Sequence, residues 1–266
     1  MKIKANGISF NVAVSGPQGG TPVVLHHPLA TNLTCWQELT AALDKRYRVI
    51  SRDARGHGQT EVPKGPYSFE TLAQDVVAVM DELKVGKAHF LGLSMGGMVG
   101  QYLGLLHAAR FHTLTLVSTS SQTPAAGAAL WEERIRNAST LGMPSVVDGA
   151  MARWVAPKVL TDRPELVERL KTMIVTTPAV GYVGWCEAIR HLDVTQRLKA
   201  ITVPTCVIVG ALDPATPPAA AEVIHREIKG SDLVVMPGVS HMLHNEEPAA
   251  FAAHVDAFLS RHRVAD

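Results

Sequence analysis

The sequence predicts an α/β protein with a mostly parallel central sheet, helices on both of its faces and an all-helical segment inserted in its second half. Three observations carry this. Short continuous apolar runs such as Val23–His26, Ala88–Ser94 and Thr205–Gly210 alternate with helical periodicity. Such runs mark strands buried on both faces, the signature of parallel sheets. The alternation then stops between Ser121 and Arg190, a stretch that holds three of the four tryptophans, Trp131, Trp154 and Trp185.

The elements follow in order. Ile3 and Ala5, then Ile8, Phe10, Val12 and Val14, alternate around Asn6-Gly7, the pattern of a hairpin with a tight turn. Pro22–Ala30 is an apolar run that enters a proline-containing loop, and Val49–Arg52 is a strand that enters a glycine-rich loop. A helix is expected from Ser68 to about Lys84, because Leu72, Val76, Val79, Met80 and Leu83 share one face of a 3.6-residue period. Ala88–Ser94 is a strand and a helix starts at Met95; Gly96, Gly100 and Gly104 give that helix a small face for close approach to the sheet. Strands are expected at Leu114–Thr119, Thr205–Gly210 and Asp232–Gly238, and helices at Ala219–Ile228 and Pro248–Arg261. The domain reading is a core of 1–120 and 191–266 with a helical cap at 121–190, placed where open α/β sheets bind ligands.

Composition excludes several functions. The chain has 266 residues, 47% of them hydrophobic, enough for a sizeable core. Lys and Arg number 25 against 24 Asp and Glu, with no basic block, which argues against a nucleic-acid partner. Cys35, Cys186 and Cys206 lack both an even count and metal-ligand spacing, so neither a disulfide framework nor a metal site is expected. The opening MKIKANGISF has no apolar signal core, and Ala88–Ala109 is interrupted by His89, Ser94, Gln101 and His107. The expectation is a soluble cytoplasmic protein without a membrane span, compatible with a monomer or a homodimer.

The chemistry concentrates at Gly92-Leu93-Ser94-Met95-Gly96, a G-x-S-x-G between strand and helix, the context of a nucleophile elbow. A serine hydroxyl needs a base within hydrogen-bond reach. His241, just after the last strand, is the candidate; His244 is its neighbour and competitor. Asp213, following strand Thr205–Gly210, completes the order Ser–Asp–His, with helix capping as its alternative role and Asp232 as the alternative residue. Two backbone donors must hold an oxyanion: the amide of Met95 and, from the loop after the first parallel strand, that of Leu29, since Pro28 has no N–H.

At these residues the chain resembles the α/β-hydrolase family over nearly its whole length, through LHHPLA, Asp53-Ala-Arg-Gly-His-Gly, GLSMGG, GALDPATPP and GVSHMLHNEEP. Within it the chain is similar to 3-oxoadipate enol-lactonases, through TNLTCW, Trp131, Arg134, Gly142-Met143, Arg153-Trp154 and Gly181-Tyr182 with Cys186-Glu187-Ala188-Ile189. His27-Pro28 departs from the His-Gly of most relatives and puts His27 among the expected acyl-site residues. The resemblance implies a cofactor-free hydrolase of a lactone or small carboxylic ester. Its partner would be a small-molecule substrate, with Arg134 receiving a carboxylate and Trp154 as a wall. A carbon–carbon bond hydrolase, a broad esterase or perhydrolase, and a non-catalytic hydrolase-like receptor are the competing readings.

Overall fold

Asn6 and Gly7 both take positive φ, 42° and 80°, so strands β1 (Lys2–Ala5) and β2 (Ile8–Ser15) close as a tight antiparallel hairpin. The computed structural model describes residues 1–262 of the chain. Further strands are β3 (Pro22–His26), β4 (Arg48–Arg52), β5 (Ala88–Leu93), β6 (Phe111–Val117), β7 (Thr205–Gly210) and β8 (Asp232–Met236). Among the described residues the sheet runs β1-β2-β4-β3-β5-β6-β7-β8, parallel from β4 onward. The strand order reverses around β3, so the loops leaving β3, β5 and β7 meet at one sheet edge, where open α/β sheets carry their ligand sites.

The continuous apolar strands hide a period of two. Val24, Phe90, Val207 and Val209 feed one core cluster, and Val23, Leu25, Leu91, Leu93 and Ile208 feed the other. The first face is covered by α2 (Phe69–Glu82), α3 (Met95–Leu106) and α9 (Pro218–Glu227). The second is covered by α1 (Gln37–Leu43) and α11 (Pro248–Arg261), the latter through Phe251, Val255 and Leu259. Ser68 starts α2 by accepting the Thr71 amide at 3.2 Å. The glycine stripe of α3 does bring helix and sheet together: a Cβ at Gly100 would lie 2.6 Å from Leu116.

The bounds of β6 differ most from the sequence reading. β6 begins at Phe111, three residues earlier than the apolar run suggests, because Thr113 is satisfied inside the sheet by His89 Nδ1 at 2.8 Å. It ends at Val117, where Ser118 turns away with φ 41°. Helix α1 follows a short 3-10 turn at Leu33–Trp36, in a stretch for which no element is expected from the sequence.

Between β6 and β7 the chain forms α4 (Ala128–Leu141), α5 (Val147–Trp154), α6 (Pro157–Asp162), α7 (Pro164–Thr176) and α8 (Ala179–Arg190). The stem of this excursion is tied where it leaves and returns: Thr123 N–H donates to Leu192 O and Val194 N–H to Ser121 O, both at 2.8 Å. Helix α8 seats on the loop after β4 through Trp185 Nε1–H, which donates to Arg55 O at 2.8 Å. A short α10 (Leu243–Glu246) precedes α11. Among the described residues no helix is long and apolar enough to cross a membrane.

Candidate active site

Ser94 stands at the β5–α3 turn with φ 56° and ψ −114°, a left-handed conformation that a non-glycine residue holds at a cost of about 1–3 kcal/mol. The surroundings enforce it. Ser94 N–H donates to Val117 O at 2.8 Å, and Thr119 Oγ1 donates to Ser94 O at 2.8 Å. The flanking glycines are required by space: a Cβ at Gly92 would lie 2.2 Å from Gly96 O, and one at Gly96 would lie 2.3 Å from His26 O. Met95 follows as the first residue of α3, where a backbone N–H has no intrahelical acceptor. The helix dipole adds a positive end at the same point.

His241 and Asp213 come from the loops after β8 and β7, and both are buried. Asp213 Oδ2 lies 2.8 Å from His241 Nδ1. The carboxylate is saturated by three further donors: Thr216 Oγ1 at 2.9 Å on Oδ2, and the amides of Ala215 at 2.8 Å and Thr216 at 3.0 Å on Oδ1. Burial alone would push the Asp213 carboxyl up; the opposing charge of His241 and the hydrogen bonds from His241 and Thr216 outweigh it and hold the carboxyl below its ordinary value. Asp213 thus does more than cap the next helix. Ser94 and His241 line one cavity and are not hydrogen-bonded to each other in this conformation. The competitors lie elsewhere. His244 is buried against Trp36, ring centroids 4.6 Å apart, and burial pushes its pKa to about 3. Asp232 pairs with Arg261 at the start of β8.

The loop after β3 carries Leu29, whose amide is the second expected donor. Within it, Ala30 N–H donates to His57 Nε2 at 3.1 Å and Thr31 N–H to Pro28 O at 3.3 Å, while Leu29 lines the cavity. The expectation for His27 is corrected. It does not reach the cavity. Its Nε2 accepts the Ala54 amide at 2.9 Å, which puts the proton on Nδ1, 2.8 Å from Pro28 O. His27 and its neighbour His57, ring centroids 5.3 Å apart, are fully buried, and burial pushes both to a pKa of about 3. They are neutral struts that shape the loop carrying Leu29, rather than substrate contacts.

The cavity has a volume of about 250 Å³ and is closed by α4, α5 and α8 through Trp131, Arg134, Arg153, Trp154, Tyr182 and Ile189. Arg134 and Trp154, the expected substrate contacts, both line it. Arg134 lies over the Trp131 ring, 4.5 Å from its centroid. Arg153 was not expected as a site residue; no local pattern separates it from a surface arginine at the end of a helix. It is half-buried, and burial, then the nearby Arg134 charge, lower its pKa to about 10. Among the described residues neither guanidinium pairs with a carboxylate. Two unpaired cations at one wall favour an anionic guest.

A strained serine at a strand–helix turn, facing a histidine–carboxylate pair across a small cavity on this sheet, is the arrangement of a serine hydrolase. Residues 21–248 match the family model of the alpha/beta hydrolase fold, and the chain belongs to that family. It is 34% identical over 259 residues, 97% of this chain and 96% of the relative, to the 3-oxoadipate enol-lactonase 2 of Acinetobacter baylyi. The crystal structure of the enol-lactonase from Burkholderia xenovorans superposes with a TM-score of 0.94 at 34% identity, covering 98% of this chain and 100% of that one. A thermophilic esterase from Thermogutta terrifontis, solved with malate bound, has the same TM-score of 0.94 at 26% identity, covering 99% and 100% of the two chains. The chain is an ester-hydrolysing enzyme.

Proposed function

We propose that this enzyme opens a carboxylate-bearing lactone of the 3-oxoadipate enol-lactone type, with Ser94, His241 and Asp213 as its catalytic relay. The observation that carries the reading is the pairing of Ser94 and His241 with two uncompensated guanidiniums, Arg134 and Arg153, around one cavity. The enol-lactonase relatives support the substrate class. In this reading 121–190 is a cap over a core of 1–120 and 191–266.

The reaction runs as acyl transfer. His241 Nε2 takes the Ser94 proton while Ser94 Oγ attacks the lactone carbonyl. The amides of Met95 and Leu29 hold the oxyanion, and such donors act on charge that develops in the transition state. Asp213 keeps the proton on His241 Nδ1 and stabilises the imidazolium. His241 then protonates the departing enol oxygen, which stays tethered to the acyl chain. Water, deprotonated by His241, attacks the acyl-enzyme and releases the open acid and free Ser94. Arg134 and Arg153 hold the substrate carboxylate and Trp154 walls the cavity. These steps call for no metal or organic cofactor.

The test is turnover of a muconolactone-type enol-lactone beside a neutral p-nitrophenyl ester and a vinylogous diketone. The lactone should be preferred. Arg134→Ala and Arg153→Ala should each raise KM for the anionic lactone about 10- to 100-fold, the loss of a hydrogen bond to a charged group of about 1.5–3 kcal/mol, with little change for the neutral ester. Preferential cleavage of the diketone, or equal losses on both esters, would overturn the reading.

A further inference from the structure

We propose that Glu246 is a positioning residue that fixes His241 and the Arg153–Ala156 segment in one frame, so that the base and the anion-binding wall are set together. This rests on the catalytic reading given above for His241 and Arg153.

Glu246 closes α10 and is buried, although it is neither in the relay nor on the cavity. A buried carboxylate is costly unless it is satisfied. Its two oxygens are divided between two parts of the fold. Oε1 accepts the Ser240 amide at 2.8 Å, one residue before His241. Oε2 accepts the Ala156 amide at 3.0 Å, at the junction of α5 and α6. Two more bonds join the same two segments: Met242 N–H donates to Trp154 O at 2.8 Å, and Ser240 Oγ donates to Arg153 O at 3.2 Å. Both chain neighbours of His241 are thus fastened to the backbone that carries Arg153 and Trp154. Glu246 accepts an amide from each segment, and only an ionised carboxylate presents acceptors to both amides without a competing donor.

The test is Glu246→Gln in the full chain. The glutamine oxygen can accept one amide, while its NH₂ faces the other amide, donor against donor. Two rates are compared per folded site, counted by end-point fluorophosphonate labelling: the labelling rate constant and steady-state hydrolysis of neutral and carboxylated esters. The expected result is a fall of about tenfold or more in labelling rate and in kcat on the neutral ester, with KM for the carboxylated ester raised further, about fivefold or more. A merely structural role would lower the melting temperature and leave the rates per site unchanged; that result overturns the proposal. If Glu246→Gln does not fold, Ala156→Pro decides. Its φ of −61° already suits proline, and the ring takes away the Ala156 N–H and sets Cδ where that hydrogen met Glu246 Oε2, so this contact is broken. It should raise KM for the carboxylated ester while largely sparing the labelling rate, and unchanged KM overturns the proposal. Wild-type enzyme that neither labels nor hydrolyses esters would remove the catalytic reading itself, and the role of Glu246 with it.

Discussion

Replacing Asp213 by asparagine should cost far more than one hydrogen bond, and the geometry gives the reason. Oδ1 accepts two backbone amides, from Ala215 at 2.8 Å and Thr216 at 3.0 Å. In Asp213→Asn that position must keep the carbonyl oxygen, because an NH₂ group there would face two donors. The NH₂ is therefore forced to the Oδ2 position, 2.8 Å from His241 Nδ1. The imidazole answers by turning Nδ1 into an acceptor, which moves its proton to Nε2, toward Ser94. It then has no lone pair for the serine proton. Two losses combine: the charge-assisted bond to the developing imidazolium, about 1.5–3 kcal/mol, and the cost of breaking the new amide–imidazole bond to restore the base, about 1–3 kcal/mol. Their sum of about 2.5–6 kcal/mol corresponds to roughly 10²- to 10⁴-fold in kcat. The assay is steady-state hydrolysis of a chromogenic ester with fluorophosphonate labelling rates alongside, at matched melting temperature. A loss below tenfold in folded enzyme would refute the tautomer argument.

Two further outcomes follow from the buried histidines. His27, His57 and His244 have folded pKa values pushed to about 3, below an unfolded value of about 6.5, so the unfolded chain binds more protons between those limits. Their contribution is complete above pH about 6.5 and is lost as pH falls toward about 3, by up to ~1.4 kcal/mol per pH unit for each histidine. Denaturant midpoints at pH 7 and 5.5 should differ clearly, and a flat profile contradicts the neutral burial. His27→Ala should lower stability by about 2–4 kcal/mol, since it leaves the Ala54 amide and a cavity behind. It should not change the ratio of KM values for carboxylated and neutral esters in the folded enzyme; a shifted ratio would return His27 to the substrate site.

What the sequence reveals here divides by range. The Asn6-Gly7 hairpin, the Ser68 cap and the Gly92-Leu93-Ser94-Met95-Gly96 turn are local, and each residue type is forced by φ, by a free amide or by space that a Cβ would fill. His241 and Asp213 are legible because chain order and strand ends place them at one sheet edge. Arg153 and Glu246 are not legible, because what they face depends on how α5 packs against the loop after β8. His27 misleads for the same reason: its chain neighbours Pro28 and Leu29 line the cavity, yet its ring turns into the core toward Ala54. The start of β6 at Phe111 hides behind Thr113, a polar residue satisfied only by the long-range partner His89.

The central claim is that Ser94 becomes nucleophilic through His241, and covalent trapping tests it most directly. Intact-mass analysis after incubation with a fluorophosphonate should show one adduct per chain, mapped to the peptide that holds Ser94. The adduct should be lost in Ser94→Ala and slowed at least 100-fold in His241→Ala. An adduct on another residue, or undiminished ester hydrolysis by Ser94→Ala, would contradict it.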